Sequence, residues 1–111
     1  MNFSELSEEI RKTAVEEKRA DSNDRLELVV KNGALNEITP ILERYFGPAV
    51  KPAGKNPSGP NRDLTNPFGG ILKNQTLYYA DRENCSNLAM IWPWSDGERS
   101  TLKIFRLGRA G

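Results

Sequence analysis

The sequence predicts an α+β fold in which two or three N-terminal helices pack on one face of a three-stranded antiparallel sheet. Apolar residues recur at helical spacing in the first half of the chain. Three short runs rich in β-branched and aromatic residues follow one another in the last third. A long segment rich in glycine and proline separates these halves. At 111 residues, we expect the chain to form one domain, residues 1–111.

The first helix is predicted over residues 5–20. Ser4 is a suitable N-cap, acidic residues follow it, and Lys18 and Arg19 lie near the end, which is the charge order that the helix dipole favours. The apolar stripe is narrow, so we expect the helix to cover one side of the core. Its members are Phe3, Leu6, Ile10 and Ala14.

Residues 25–32 fit two structures. Three of their apolar residues lie at helical spacing and Gly33 follows as a stop signal, whereas Leu26, Leu28 and Val30 alternate as in a strand. The polar residues before this segment and the Asn-Gly pair at its end favour a short second helix. A fourth strand is the alternative.

The next helix is predicted over residues 34–46. The Thr39-Pro40 pair indicates that its regular part begins there, because proline is tolerated in a first turn. Gly47 and Pro48 end it. Its apolar side consists of Leu35, Ile38, Leu42, Tyr45 and Phe46.

Residues 47–75 are predicted to form a long, partly flexible loop. They include five prolines and five glycines. Such long connections are uncommon in compact domains and are usually functional or disordered. We expect residues 68–72 to attach the loop to the core. The loop also has the strongest local charge bias in the chain, with Lys51, Lys55, Arg62 and Lys73 against Asp63 alone.

Three strands are predicted at residues 76–80, 88–94 and 100–107. A loop at residues 95–97 joins the last two strands and allows two registers. In one, Met90 faces Leu102 and the large apolar side chains collect on one face; in the other, Ile91 faces Leu102 and they divide between both faces. We favour the first register, which leaves the opposite face open. The side chains it collects are Leu88, Met90, Trp92, Leu102 and Ile104.

The residue types argue against catalysis. The chain has no histidine, which is the commonest general base and metal ligand. Its one cysteine, Cys85, cannot form an intrachain disulfide or a cysteine-rich metal site. Acidic pairs fall in predicted turns, where local hydrogen bonding explains them. We therefore expect a protein that is not an enzyme and that uses no metal or cofactor.

The sequence favours a cytoplasmic protein. A single cysteine is typical of a reducing compartment. No apolar run approaches the ~18 residues that cross a bilayer. The first residues are acidic, whereas a secretory signal is basic and then apolar.

Two binding functions fit the pattern. The first is a small module that binds another protein, or its own copy, through the open sheet face and residues 47–75. The alternative is single-stranded nucleic acid, because cations beside aromatic rings can hold bases and phosphates; the net charge of +1 argues against it. Core packing is the simpler explanation of Trp92. The candidate binding residues, for protein or anion, are Lys51, Lys55, Arg62, Tyr78, Trp94, Arg99, Lys103 and Arg106.

Overall fold

Three α-helices and a five-stranded antiparallel sheet form the part of the chain that the computed structural model describes, residues 1–108. The helices are α1 (Phe3–Arg11), α2 (Leu35–Phe46) and α3 (Gly59–Thr65). The strands are β1 (Val15–Asp21), β2 (Arg25–Lys31), β3 (Thr76–Arg82), β4 (Cys85–Pro93) and β5 (Arg99–Gly108). The spatial order is β1-β2-β5-β4-β3. The predicted α+β class is confirmed, and the prediction of three strands was wrong.

The missing strands come from the first third of the chain. Helix α1 ends at Arg11, so the predicted helix over 5–20 is too long. Its N-cap is Asn2, whose side chain accepts the Glu5 N–H at 2.8 Å. Residues 15–21 instead pair with β2, because pairing with a buried strand outweighs the good helix propensity of the Glu, Lys, Arg and Ala residues in this segment. As an edge strand, β1 carries charges and two register shifts, both of which discourage pairing with other chains.

Residues 25–31 form a strand, so the alternative to a second helix was correct. β2 lies between β1 and β5. Leu26, Leu28 and Val30 are buried beneath the helices, whereas Glu27 and Val29 lie on the opposite face. All five side chains are buried, which hides the alternation in the hydrophobic pattern.

The helix over 34–46 is confirmed as α2, but its predicted regular start is wrong. Pro40 lies inside the helix, and Thr39 donates its hydroxyl to the Leu35 carbonyl oxygen at 2.8 Å. Asn36, whose carbonyl would bond an N–H at position 40, is exposed, as is Pro40. Water can reach that carbonyl, so the proline costs less than it would in a buried helix.

The register of β4 on β5 is the one that divides the apolar side chains. Ile91 faces Leu102 and Ala89 faces Ile104, so the register that we favoured was wrong. Leu102 and Ile104 pack against α1 and α2. Leu88 and Met90 point to the opposite face, which we call the second face, and they are fully buried there.

The cover of the second face is the segment predicted to be a long loop. It contains α3 and a 3-10 turn, Asn66–Phe68. The Phe68 ring lies 4.5 Å from the Phe105 ring, centroid to centroid. The underside predicted to be open is therefore covered at its β3 and β4 side. The packed side chains are Leu64, Phe68 and Ile71 of the cover with Leu77, Leu88, Met90 and Phe105 of the sheet.

Lys51 fastens this cover to the edge of the sheet. Its backbone forms a bridge with Leu77 of β3, and its side chain is buried. The ammonium donates to the carbonyl oxygens of Pro52 at 3.1 Å, Lys73 at 2.7 Å and Gln75. Burial lowers the pKa of Lys51, whereas the carbonyls stabilise its charged form. The bonds join both ends of the segment that crosses the second face.

Within residues 1–108, no helix combines the length and the apolar composition that crossing a bilayer requires.

We expect Lys51→Met to lower the free energy of unfolding by about 2 kcal/mol, because the methionine keeps the apolar stem but removes the ammonium that donates to three carbonyls. Urea denaturation measures the change. Lys55→Met, at an exposed position of the same segment, is the control and should change it by less than about 0.5 kcal/mol. Equal effects of both substitutions would contradict the anchoring role.

We expect Gly69→Ala to destabilise the protein more than Gly70→Ala. Both glycines have positive φ, at +103° and +83°, so each alanine costs about 1–2 kcal/mol of backbone strain. A Cβ at Gly69 would also lie 2.5 Å from Cη2 of Trp92, whereas one at Gly70 meets no atom within 4 Å. The collision adds about 1–3 kcal/mol. In a Trp92→Phe background, urea denaturation should give equal losses for the two glycines; a persistent difference would show that Trp92 is not the cause.

Candidate functional site

The second face is covered on one side only. Towards β1 and β2 it presents a cluster of charged and aromatic side chains that none of the helices in residues 1–108 covers. Arg19 and Arg25 are exposed, and Trp94 and Lys103 are half-buried. We call this cluster the open surface. Its members are Arg19, Arg25, Glu27, Trp94, Arg99 and Lys103.

Trp94 is held in place from three directions. The guanidinium of Arg19 lies 5.6 Å from its ring centroid, and that of Arg99 lies 5.8 Å away. The indole Nε1 donates to the Thr101 hydroxyl at 2.8 Å. Each exposed cation–π contact contributes about 0.5–1 kcal/mol. The open surface therefore includes a large aromatic side chain with a fixed orientation.

A second cation–ring contact lies at the border between the open surface and the cover. The Lys103 ammonium lies 3.6 Å from the Trp92 ring centroid, and the same indole packs against Gly69 of the cover. The Trp92 Nε1 is buried and has no hydrogen-bond partner among residues 1–108. Burial lowers the pKa of Lys103; Glu27 opposes this shift, and Arg25 and Arg19 increase it.

The guanidiniums of the open surface are paired with carboxylates. The N···O distances are 2.7 Å for Arg19–Glu17, 2.8 Å for Arg25–Glu27, 3.0 Å for Arg99–Glu16 and 3.1 Å for Arg99–Asp96. The hydrogen bond from Arg99 lowers the pKa of Glu16. Both signs of charge therefore lie side by side on this surface, where three guanidiniums are paired with four carboxylates.

The structure brings three of the candidate binding residues together, namely Trp94, Arg99 and Lys103. Tyr78 and Arg106 lie on the helix side of the sheet. Tyr78 is buried with its ring 5.9 Å from that of Phe46, and Arg106 forms ion pairs with Asp24 and Glu83. The remaining candidates lie in the segment that covers the second face: Lys51 is buried, and Lys55 and Arg62 are exposed.

Three members of the open surface were missed by the sequence reasoning, namely Arg19, Arg25 and Glu27. Arg19 was assigned to the end of a helix. The strand alternative for residues 25–32 does predict the positions of the other two residues, because alternation along a strand places Arg25 and Glu27 on the face opposite Leu26.

Comparison of the chain with protein-family models, with curated proteins and with solved structures finds no match. Among residues 1–108, no group of three or more acidic or cysteine side chains is placed to hold a metal ion. Function must therefore be inferred from the chemistry of this chain.

We expect the pKa of Lys103, followed by NMR of its side chain, to lie below the ordinary value of 10.5. Glu27→Gln should lower it further and Arg25→Gln should raise it, because these neighbours act on the ammonium in opposite directions. Since the folded protein then releases this proton before the unfolded chain does, Lys103 makes stability rise with pH from its folded pKa to 10.5. A pKa at or above 10.5 would contradict the desolvation of this site.

Proposed function

We propose that the protein is a non-catalytic binding module that holds another protein, or a second copy of itself, on the open surface. The observation that carries the proposal is Trp94, a half-exposed indole fixed between two guanidiniums on an uncovered part of the sheet. Tryptophan and arginine are the residues that most often dominate the energy of protein interfaces. Because contacts already restrict these side chains, ordering them on binding costs less than it would for free ones.

The paired charges favour a protein partner over a polyanion. The guanidiniums beside Trp94 already have carboxylate partners, so a phosphate backbone would have to compete with Glu16 and Glu17. A protein surface with both signs of charge can match this pattern and gain specificity from it. The lone cysteine supports the cytoplasm as the place where the module works.

We expect Arg19→Glu and Trp94→Ala to abolish partner binding while the protein stays folded, because Arg19 and Trp94 contact each other on the open surface. Lys18→Glu is the matched control. Lys18 is the neighbouring residue, changes the net charge equally, and pairs with Leu28 on the helix side. Sedimentation velocity over a wide concentration range tests binding to a second copy. Affinity capture followed by reconstitution with the purified partner tests binding to another protein.

Association that survives Arg19→Glu and Trp94→Ala, but is lost with Lys18→Glu, would place the interface on the helix side and would overturn the proposal. Circular dichroism and urea denaturation of each variant separate loss of binding from loss of folding.

Single-stranded nucleic acid is the second candidate, favoured by one feature: cations stack on both Trp94 and Trp92. Aromatic rings flanked by cations can hold bases and phosphates together. Binding of this kind weakens steeply as salt rises. A fluorescently labelled single-stranded oligonucleotide that binds at low salt, and loses affinity on Lys103→Met, would support it; no binding at low salt would remove it.

A further inference from the structure

We propose that Asn32 is a deamidation site, and that its conversion to aspartate releases the β4–β5 hairpin from the end of β2. The backbone nitrogen of Gly33 attacks Cγ of Asn32, and the side-chain nitrogen leaves as ammonia with the proton that Gly33 gives up. Water then opens the resulting succinimide ring to aspartate or isoaspartate, so the net reaction consumes one water and releases one ammonia. The Asn-Gly pair follows β2 directly and begins a 3-10 turn, Asn32–Ala34.

The fold does not require glycine at position 33. Its φ is outside the left-handed region, and a Cβ built on it would meet no atom within 4 Å. Alanine would also lose less conformational entropy there on folding. Glycine does favour the attack, because no side chain hinders its backbone nitrogen. Gly33 is exposed, and its N–H donates to no oxygen of residues 1–108. The nucleophile of the reaction is therefore accessible and unpaired.

The side-chain amide of Asn32 is polarised by a buried hydroxyl. Ser100, which is fully buried, donates its hydroxyl to Oδ1 of Asn32 at 2.7 Å. Negative charge develops on this oxygen when Cγ is attacked, and a donor that is already in place stabilises that charge. Asn32 and Gly33 also line a cleft of about 400 Å³ that is open to solvent, so water can reach the succinimide.

The 3-10 turn controls how fast the reaction proceeds. Ring closure requires ψ of Asn32 to rotate out of the helical range, so the turn must open before the Gly33 nitrogen reaches Cγ. The turn has only three residues, and its hydrogen bonds are of the weaker 3-10 kind. Such a segment opens by local fluctuation without unfolding of the whole chain. The conversion therefore accumulates slowly in the folded protein.

Conversion removes a bond that ties the hairpin to β2. The Asn32 amide donates to the carbonyl oxygen of Gly97, in the loop between β4 and β5, at 3.1 Å. A carboxylate at position 32 has no proton to donate and places negative charge against that carbonyl. Glu98 lines the same cleft and adds a second negative charge. The cations of the cleft, Lys31 and Arg99, already pair with other carboxylates. The modification does not depend on whether the open surface binds a partner.

The test is prolonged incubation of the folded full chain at mildly alkaline pH, followed by peptide mass spectrometry of each asparagine. We expect Asn32 to convert faster than Asn74, an exposed asparagine in a turn that is followed by glutamine. Gly33→Ala should suppress the conversion of Asn32 to the level of Asn74. Since the added methyl group meets no other atom, this variant keeps the fold.

Asn32→Asp reproduces the direct product of the reaction. The backbone N–H at position 32 donates to the Glu98 carbonyl oxygen at 2.8 Å, and that of Gly97 donates to the Trp94 carbonyl oxygen at 3.2 Å. We expect both amides to exchange with solvent about 10-fold faster in the variant, because one hydrogen bond is lost and a repulsion is gained. Asn36→Asp adds the same charge at an exposed position of α2 and should leave the exchange unchanged.

The proposal is overturned if Asn32 converts no faster than Asn74, or if Gly33→Ala leaves its rate unchanged. It is also overturned if the two hairpin amides exchange equally fast in Asn32→Asp and in the wild type. The rate measurements use the wild type and Gly33→Ala alone, so they decide the question of the site even if Asn32→Asp unfolds.

Discussion

Burial of the sheet on both faces is the constraint on which this structure depends. Strands β4 and β5 carry large apolar side chains towards both the helices and the second face, whereas those of β2 point mainly towards the helices. Each face must then be removed from water, and burying one leucine-sized side chain is worth about 1.5–3 kcal/mol. Helices α1 and α2 satisfy this requirement on one side. In the described part of the chain no long helix lies on the second face, which is covered instead by a segment with few apolar side chains.

That segment owes its order to the sheet beneath it. Helix α3 has seven residues, too few to be stable alone in water. The few apolar side chains of the covering segment, which include Phe68 and Ile71, lie on the sheet. The buried ammonium of Lys51 joins the two ends of this segment. Glycine at position 69 allows the chain to approach the indole of Trp92 closely. The glycines and prolines that indicate a loop therefore specify a close-fitting cover.

The sequence could predict those elements whose pattern is local. Helix α2 and the existence of the last three strands follow from periodicity alone. The register of β4 on β5 does not, because choosing between Ile91 and Met90 as the partner of Leu102 requires knowing whether the second face is covered. The positions of Arg25 and Glu27 were not predicted for a related reason. Because β2 is buried on both faces, its sequence is as apolar as that of a buried helix and does not show a clear alternation. Trp94, Arg99 and Lys103 could be grouped from the sequence because they lie on one hairpin, which is a local structure.

The cover reaches only part of the second face, and the charge distribution follows from this. Where α3 and the turn after it end, the sheet side chains change from Leu88 and Met90 to Arg19 and Arg25. Charged groups near the boundary cannot be moved under a cover without a loss of hydration, and the lowered pKa of Lys103 reflects such a loss in part. A partner that binds here must therefore supply its own charges to the surface. This requirement excludes more partners than a match in apolar area would. A partner surface without matching charges would leave the charged groups of this protein desolvated and unpaired.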